Sequence, residues 1–291
     1  MKSPVTPLLI AACAALAAPA FAQTLLLDFG PTAATGASLT NSPYHTETGS
    51  GASTWNTLAT SAVTSANNVV SSLTYANNSA ATGVSLTLGS VSVSGGSTYN
   101  LNFTSPTLTS SALGSQVNVG VYADSSVGKD GIFVTGSTNT QNVGAAISVT
   151  GLAAGTYDIF VTGLNSNTTS STVSRQQAAF AAVGASRPAS LSGIASELFT
   201  NGGLVNDLTP TGWTSAWVEG VNYAKLSVSV TATTDHVTIF TLGSLISPAT
   251  TDARGFLNSV MITAAIPEPS AFAAVAGLAV LGAVSLRRRR R

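Results

Sequence analysis

The sequence predicts an all-β protein: a single β-sandwich or jelly-roll domain over residues 23–264, with a removable signal at one end and a transmembrane helix at the other. Three observations carry this. Short segments alternating apolar and polar residues recur at roughly ten-residue spacing, the period-two signature of half-buried strands. Runs of Gly, Ser, Thr and Asn separate them, where turns belong. Few stretches carry a helical period, so packed sheets are the expected architecture.

The strands follow in order. Residues 24–29, TLLLDF, form a buried strand ended by Gly30-Pro31. Asp28 interrupts its apolar run, as either a ligand carboxylate or a turn-capping group. Residues 33–52 are a polar loop holding Tyr44, His45 and Glu47. Residues 71–75 and 82–88 each alternate. Val91 and Val93, then Tyr99, Leu101 and Phe103, continue across Gly95-Gly96 as a hairpin. Val117, Val119 and Val121 make another strand, residues 124–131 a loop, and residues 132–135 a short strand. Residues 145–150 and 157–163 form the clearest pair. Their link, 151–157, resembles the corner of fibronectin-like sandwiches, which implies a Tyr157 hydroxyl bonded back to the backbone, with Leu152 in the core. Residues 175–183, with RQQAAFAAV, are compatible with a helix; a resemblance to other exported β proteins implies a strand there instead, and 192–199 read as a short helix. The strands 223–231 and 237–242 flank a turn at 233–236, and 254–262 closes the domain.

The ends have separate characters. Lys2, the apolar stretch 8–18 and Ala20-Phe21-Ala22 make a secretory signal cleaved between Ala22 and Gln23. Cys13, the single cysteine, sits in an outline of a lipoprotein box; that is the alternative. Cleavage after Ala22 leaves no thiol for a disulfide, a zinc site or a nucleophile. At the other end stand Pro267, Glu268 and Pro269, then 17 residues without a charge (270–286), then five arginines (287–291). As a helix the uncharged run rises about 25 Å, short but sufficient for a bilayer core. The arginines fit the cytoplasmic side, which leaves the body outside.

Pro267-Glu268-Pro269, the apolar span and the basic end, in that order, resemble the PEP-CTERM sorting tail of exported bacterial proteins. The resemblance implies that an exosortase recognises residues 265–291 and cuts near the Pro-Glu-Pro. A plain tail anchor is the alternative. The implied partners are the Sec translocon, signal peptidase, exosortase and, transiently, the membrane. The body is similar to exported proteins of Verrucomicrobia and related bacteria through Leu27-Asp28-Phe29-Gly30, Trp55-Asn56, residues 81–86, residues 155–158, residues 217–223 and residues 254–258. The DFG opening and LNSVMI ending also resemble galactose-binding-like and malectin-like jelly rolls, which bind sugars.

Composition excludes several functions. Residues 23–265 carry five cations and ten acids, a net of −5, with no basic face for nucleic acid. The two histidines, His45 and His236, and the missing Gly-x-Ser-x-Gly elbow leave a serine hydrolase without its parts. Asp28, Glu47, Asp158 and Glu219 are isolated acids, whereas a glycosidase needs two at a set separation. Asp124 and Asp130 offer hard oxygens for calcium or simply a solvated turn; their spacing is not that of an EF-hand. The sequence therefore assigns no catalytic residue, metal site or cofactor. Trp213, Trp55 and Tyr44 are candidate sugar-stacking aromatics, with core packing as the other reading, and Trp217 is expected in the core. The expected function is a non-catalytic cell-surface or matrix protein, associated with exopolysaccharide. The alternatives are a carbohydrate-binding module and a polysaccharide hydrolase with an unrecognised site.

Overall fold

A computed structural model describes residues 24–32, 54–94, 97–112, 130–134, 143–163, 176–200, 216–243 and 255–265. The described residues are all strand, turn and coil. Fifteen strands are described: β1 (Leu25–Phe29), β2 (Asn56–Leu58), β3 (Val69–Val70), β4 (Ser85–Ser94), β5 (Thr98–Asn102), β6 (Leu108–Ala112), β7 (Asp130–Val134), β8 (Val143–Thr150), β9 (Gly155–Thr162), β10 (Gln176–Gly184), β11 (Ser190–Ser192), β12 (Ser196–Thr200), β13 (Ala224–Val230), β14 (His236–Gly243) and β15 (Ser259–Ala264).

One sheet has the order β13-β9-β15-β1-β2, antiparallel except for the parallel pair β1–β2. The other runs β11-β5-β4-β8-β14-β10-β12, with β3 also on β4; β6 and β7 form a separate ribbon. One apolar core draws on both large sheets. Leu25, Leu27 and Phe29 of β1 meet Leu86, Leu88, Ile147, Val149, Val237 and Ile239 there. Period-two alternation explains why: odd positions of β1 face this core, while Leu26 and Asp28 point the other way. Full burial of each Leu or Ile contributes about 1.5–3 kcal/mol. The second large sheet curls over its other face, where Phe180 and Phe240 stack at 4.6 Å and Tyr99 lies 4.7 Å from Phe180.

The corner at 151–157 forms as expected. Tyr157 Oη donates to the Ala153 carbonyl at 2.9 Å, and Leu152 and Tyr157 are both buried. Burial and the neighbouring Tyr75 push the Tyr157 phenol up to about 12. The strands on either side of it, β8 and β9, lie in opposite sheets, so the corner carries the chain between them. Gly151, at φ +90°, is pressed against Gly83, whose carbonyl oxygen would lie 2.0 Å from an added Cβ.

Several expectations change. Residues 192–199 are not a helix: Ser190–Ser192 pairs with β5 and Ser196–Thr200 with β10. Sheet pairing overrides the local pattern, since each segment borders an open edge. The strand expected at 71–75 reduces to the bridge Thr74↔Ala80, with the pairing strand starting earlier at Val69. Asp130 opens β7 and is fully buried, not part of a solvated turn. The strand expected at 117–121 lies outside the described residues. Among the described residues no helix is long and apolar enough to cross a membrane. The span expected at 270–286 lies outside them, as does the signal at 1–22.

Candidate functional site

The five-stranded sheet turns a patterned face away from the shared core. Register sets out three rows on it. Thr57, Asp28, Ser259 and Thr162 form the first. Leu26, Met261, Phe160 and Lys225 form the second. Thr263, Asp158 and Ser227 belong to the third, and Thr24 Oγ1 joins it at 2.7 Å from Thr263 Oγ1.

Two loops bring aromatic rings onto the apolar middle row. Trp55, Trp217 and Tyr223, each half-buried, pack with Leu26, Ala76, Phe160 and Met261. Tyr223 lies 5.9 Å from Phe160 and 6.3 Å from Trp217, centroid to centroid. Each loop is tied by a buried asparagine. Asn56 Nδ2 donates to the Leu26 and Thr74 carbonyls at 3.0 and 2.8 Å, and its Oδ1 accepts from Thr74 N at 2.8 Å. Asn222 Oδ1 accepts from Val218 N at 2.8 Å, and its Nδ2 donates to the Ala216 carbonyl at 3.0 Å. The tethers place Trp55 and Trp217 on one surface although more than 160 residues separate them. Neither asparagine stands out in a sequence rich in Asn.

Lys225 completes the patch. Its Nζ lies 2.8 Å from Asp158 Oδ2 and 5.2 Å from the Phe160 ring centroid. Burial raises the Tyr223 phenol, with Glu219 adding to the rise and Lys225 opposing it. A half-buried indole and phenol beside an ion pair form an amphipathic surface, able to offer ring faces and hydrogen bonds together.

The expected site residues divide accordingly. Trp55 reaches this face, and so does Trp217, expected in the core and found at its outer margin. Tyr44, Trp213, His45, Glu47, Asp124, Ala22, Gln23, Pro267, Glu268 and Pro269 lie outside the described residues. Asp28 is fully buried, with Thr57 Oγ1 donating to its Oδ2 at 3.3 Å. Asp158 is on the same face, two strands over and four residues along. That puts the two about 16 Å apart by strand geometry, beyond the roughly 6.5–9.5 Å of an inverting glycosidase pair. Glu219 is exposed on the loop before Tyr223. Phe160, Tyr223 and Lys225 are not legible as site residues from local pattern. A Phe in an outward slot of β9, between Asp158 and Thr162, is the one signal that marks the face.

Asp130 lies in a separate knot. Its Oδ2 accepts from Thr32 N at 2.5 Å, and its carbonyl accepts from Asn258 Nδ2 at 2.5 Å. Its Oδ1 is buried without a hydrogen-bond partner. Burial raises the carboxyl from its ordinary value to about 6, against the lowering effect of the Thr32 bond. Among the described residues no group of three or more His, Cys, Asp or Glu is placed to hold a metal ion.

Comparison with family models, curated proteins and solved structures returns no match.

Proposed function

We propose that the chain is an exported cell-surface or matrix protein, processed at its C-terminal tail, whose body is a β-sandwich that acts by binding and not by catalysis. The observation that carries this is the ordered tail: Pro267-Glu268-Pro269, the uncharged run 270–286 and Arg287 to Arg291. The A-x-A signal ending at Ala22 supports it from the other end. In this reading Sec and signal peptidase handle the first 22 residues, and the exosortase removes the last. The two large sheets with their common core support a sandwich, and the acidic balance of 23–265 suits an extracellular surface better than a nucleic acid.

The test is retention. With Pro267 and Pro269 both replaced by alanine, the chain should stay in the membrane fraction of its native host, where wild type passes to the surface. Equal release of both would overturn the reading.

A second reading, carbohydrate binding, is favoured by one observation: Trp55, Trp217 and Tyr223 gather half-buried around Phe160 on one sheet face. Ring faces at such a margin match the apolar C–H faces of hexoses.

A further inference from the structure

Both ends of the described body lie at one pole of the sandwich. Thr24 immediately precedes β1, Thr263 stands one residue from the end of β15, and their Oγ1 atoms are 2.7 Å apart. Ala265 N donates to the Thr156 carbonyl at 2.8 Å, which ties the chain to β9 two residues before Pro267. Three loops close the same pole. Ala76 N donates to the Thr24 carbonyl at 2.8 Å, and Gly151 N to the Thr233 carbonyl at 2.9 Å. Gly151 is also pressed against the Gly83 carbonyl. Loops 75–83, 150–156 and 231–235 therefore form one rim around the two chain ends. β1, β9, β12 and β14 end at the other pole, at Phe29, Thr162, Thr200 and Gly243.

The rim presents no charge to solvent. Residues 77–80, 82–83, 154–156 and 231–234 are exposed, and none of them is charged. Asp235, the acid of the third loop, is buried, and its Oδ2 accepts from Thr231 N, Thr231 Oγ1 and Ala232 N at 2.7, 2.7 and 3.0 Å. Asp158, two residues in from Thr156, is paired with Lys225 Nζ at 2.8 Å. The connection 185–189 also leaves from this pole, because Gly184 pairs with His236, and its exposed Arg187 is a cation. This neutral end belongs to a body whose residues 23–265 carry a net of −5.

We propose that this pole is the surface that rests on the lipid headgroups while the tail is in the bilayer, an inference that rests on the tail reading above. The tether sets the occupant. Ser270, the first residue of the uncharged run, is five residues past Ala265 and at most about 18 Å from it when the chain is fully extended. Pro267 and Pro269 stiffen that stretch. β14 alone is about 26 Å long, so the tether is too short to turn the body over and bring the other pole to the membrane. Residues 1–22 join the body through Thr24 at the same rim, so either apolar end, while attached, holds this pole down. Charge acts in the same direction. A leaflet containing anionic lipid repels an acidic body over a Debye length of about 8–10 Å. The uncharged rim comes within that distance at the least cost, and Arg187 carries the sign that such headgroups attract. In this orientation the aromatic sheet face stands sideways to the membrane and the other pole points outward.

The test uses the full chain, exported by a host without exosortase, with Cys13→Ala so that one introduced cysteine takes a fluorescent label. It is reconstituted into vesicles of phosphatidylethanolamine and phosphatidylglycerol that include a lipid with a nitroxide quencher on its headgroup. Thr82→Cys and Thr234→Cys report on the rim, Ser92→Cys on the other pole and Val218→Cys on the loop of the aromatic face; all four positions are exposed. Thermal melts check that each variant is folded, and the second rim position serves if the first is not. The expected result is loss of most of the emission at the Thr82 and Thr234 positions, with emission at the Ser92 and Val218 positions equal to that in quencher-free vesicles. Equal quenching at all four positions, or none at the rim in a chain that floats with the vesicles, would overturn the orientation and leave the tail reading standing. Quenching at the Val218 position alone would overturn it in favour of the aromatic face. A chain that does not float would overturn the tail reading and this inference together.

Discussion

Asp130 is pressed against Gly30: a Cβ on that glycine would lie 2.2 Å from the Asp130 Cγ. The contact joins the end of β1 to the start of β7 and holds a carboxyl where water does not reach. Its folded pKa of about 6 exceeds the ordinary 3.8. The folded chain therefore binds this proton more tightly than the unfolded chain does. The resulting stability is fully present below about pH 3.8 and is lost as pH rises to about 6.

The first prediction follows from that sign. Asp130→Asn keeps an acceptor for Thr32 N and removes the charge. Its stability relative to wild type should rise from about pH 4 to about pH 6 and stay level above, by at most about 3 kcal/mol. Urea midpoints across that range measure it. A pH-independent difference between the two would show that Asp130 titrates normally.

The second concerns the tether of the Trp55 loop. Asn56→Ala removes three hydrogen bonds and leaves the Leu26 and Thr74 groups unsatisfied. The expected loss is about 2–3 kcal/mol by chemical denaturation, with a red shift in tryptophan emission as Trp55 leaves its apolar bed. A loss under about 0.5 kcal/mol, within the range of a surface substitution, would contradict the tether.

How much of this was legible beforehand depends on the range of the signal. β1 was readable because five consecutive residues are buried on both faces and punctuated by Gly30-Pro31. The corner at Tyr157 was readable because its chemistry is local, a hydroxyl reaching four residues back. Residues 192–199 carry no local sign of their strands, because only their sheet partners decide them. The aromatic face was half legible: Trp55 was named, but Phe160 and Lys225 join it through strand register, which no local pattern encodes. Asp130 looked like a loop acid because Asn258, its partner, lies 128 residues away.

The third prediction addresses the aromatic face. Trp217→Ala should abolish or weaken by about tenfold any retention on neutral polysaccharide gels, since one stacking aromatic contributes on the order of 1–1.5 kcal/mol. Trp55→Ala should do the same at a larger cost in stability, because Trp55 adjoins the Asn56 tether. Unchanged retention in both variants, with the fold intact by thermal melt, would remove this face from the binding account.

Mass spectrometry of the protein recovered from the native cell surface tests the central claim most directly. The account predicts a chain that begins at Gln23 and ends near Pro267–Ser270, without the arginine cluster. A chain that still ends at Arg291 would contradict it.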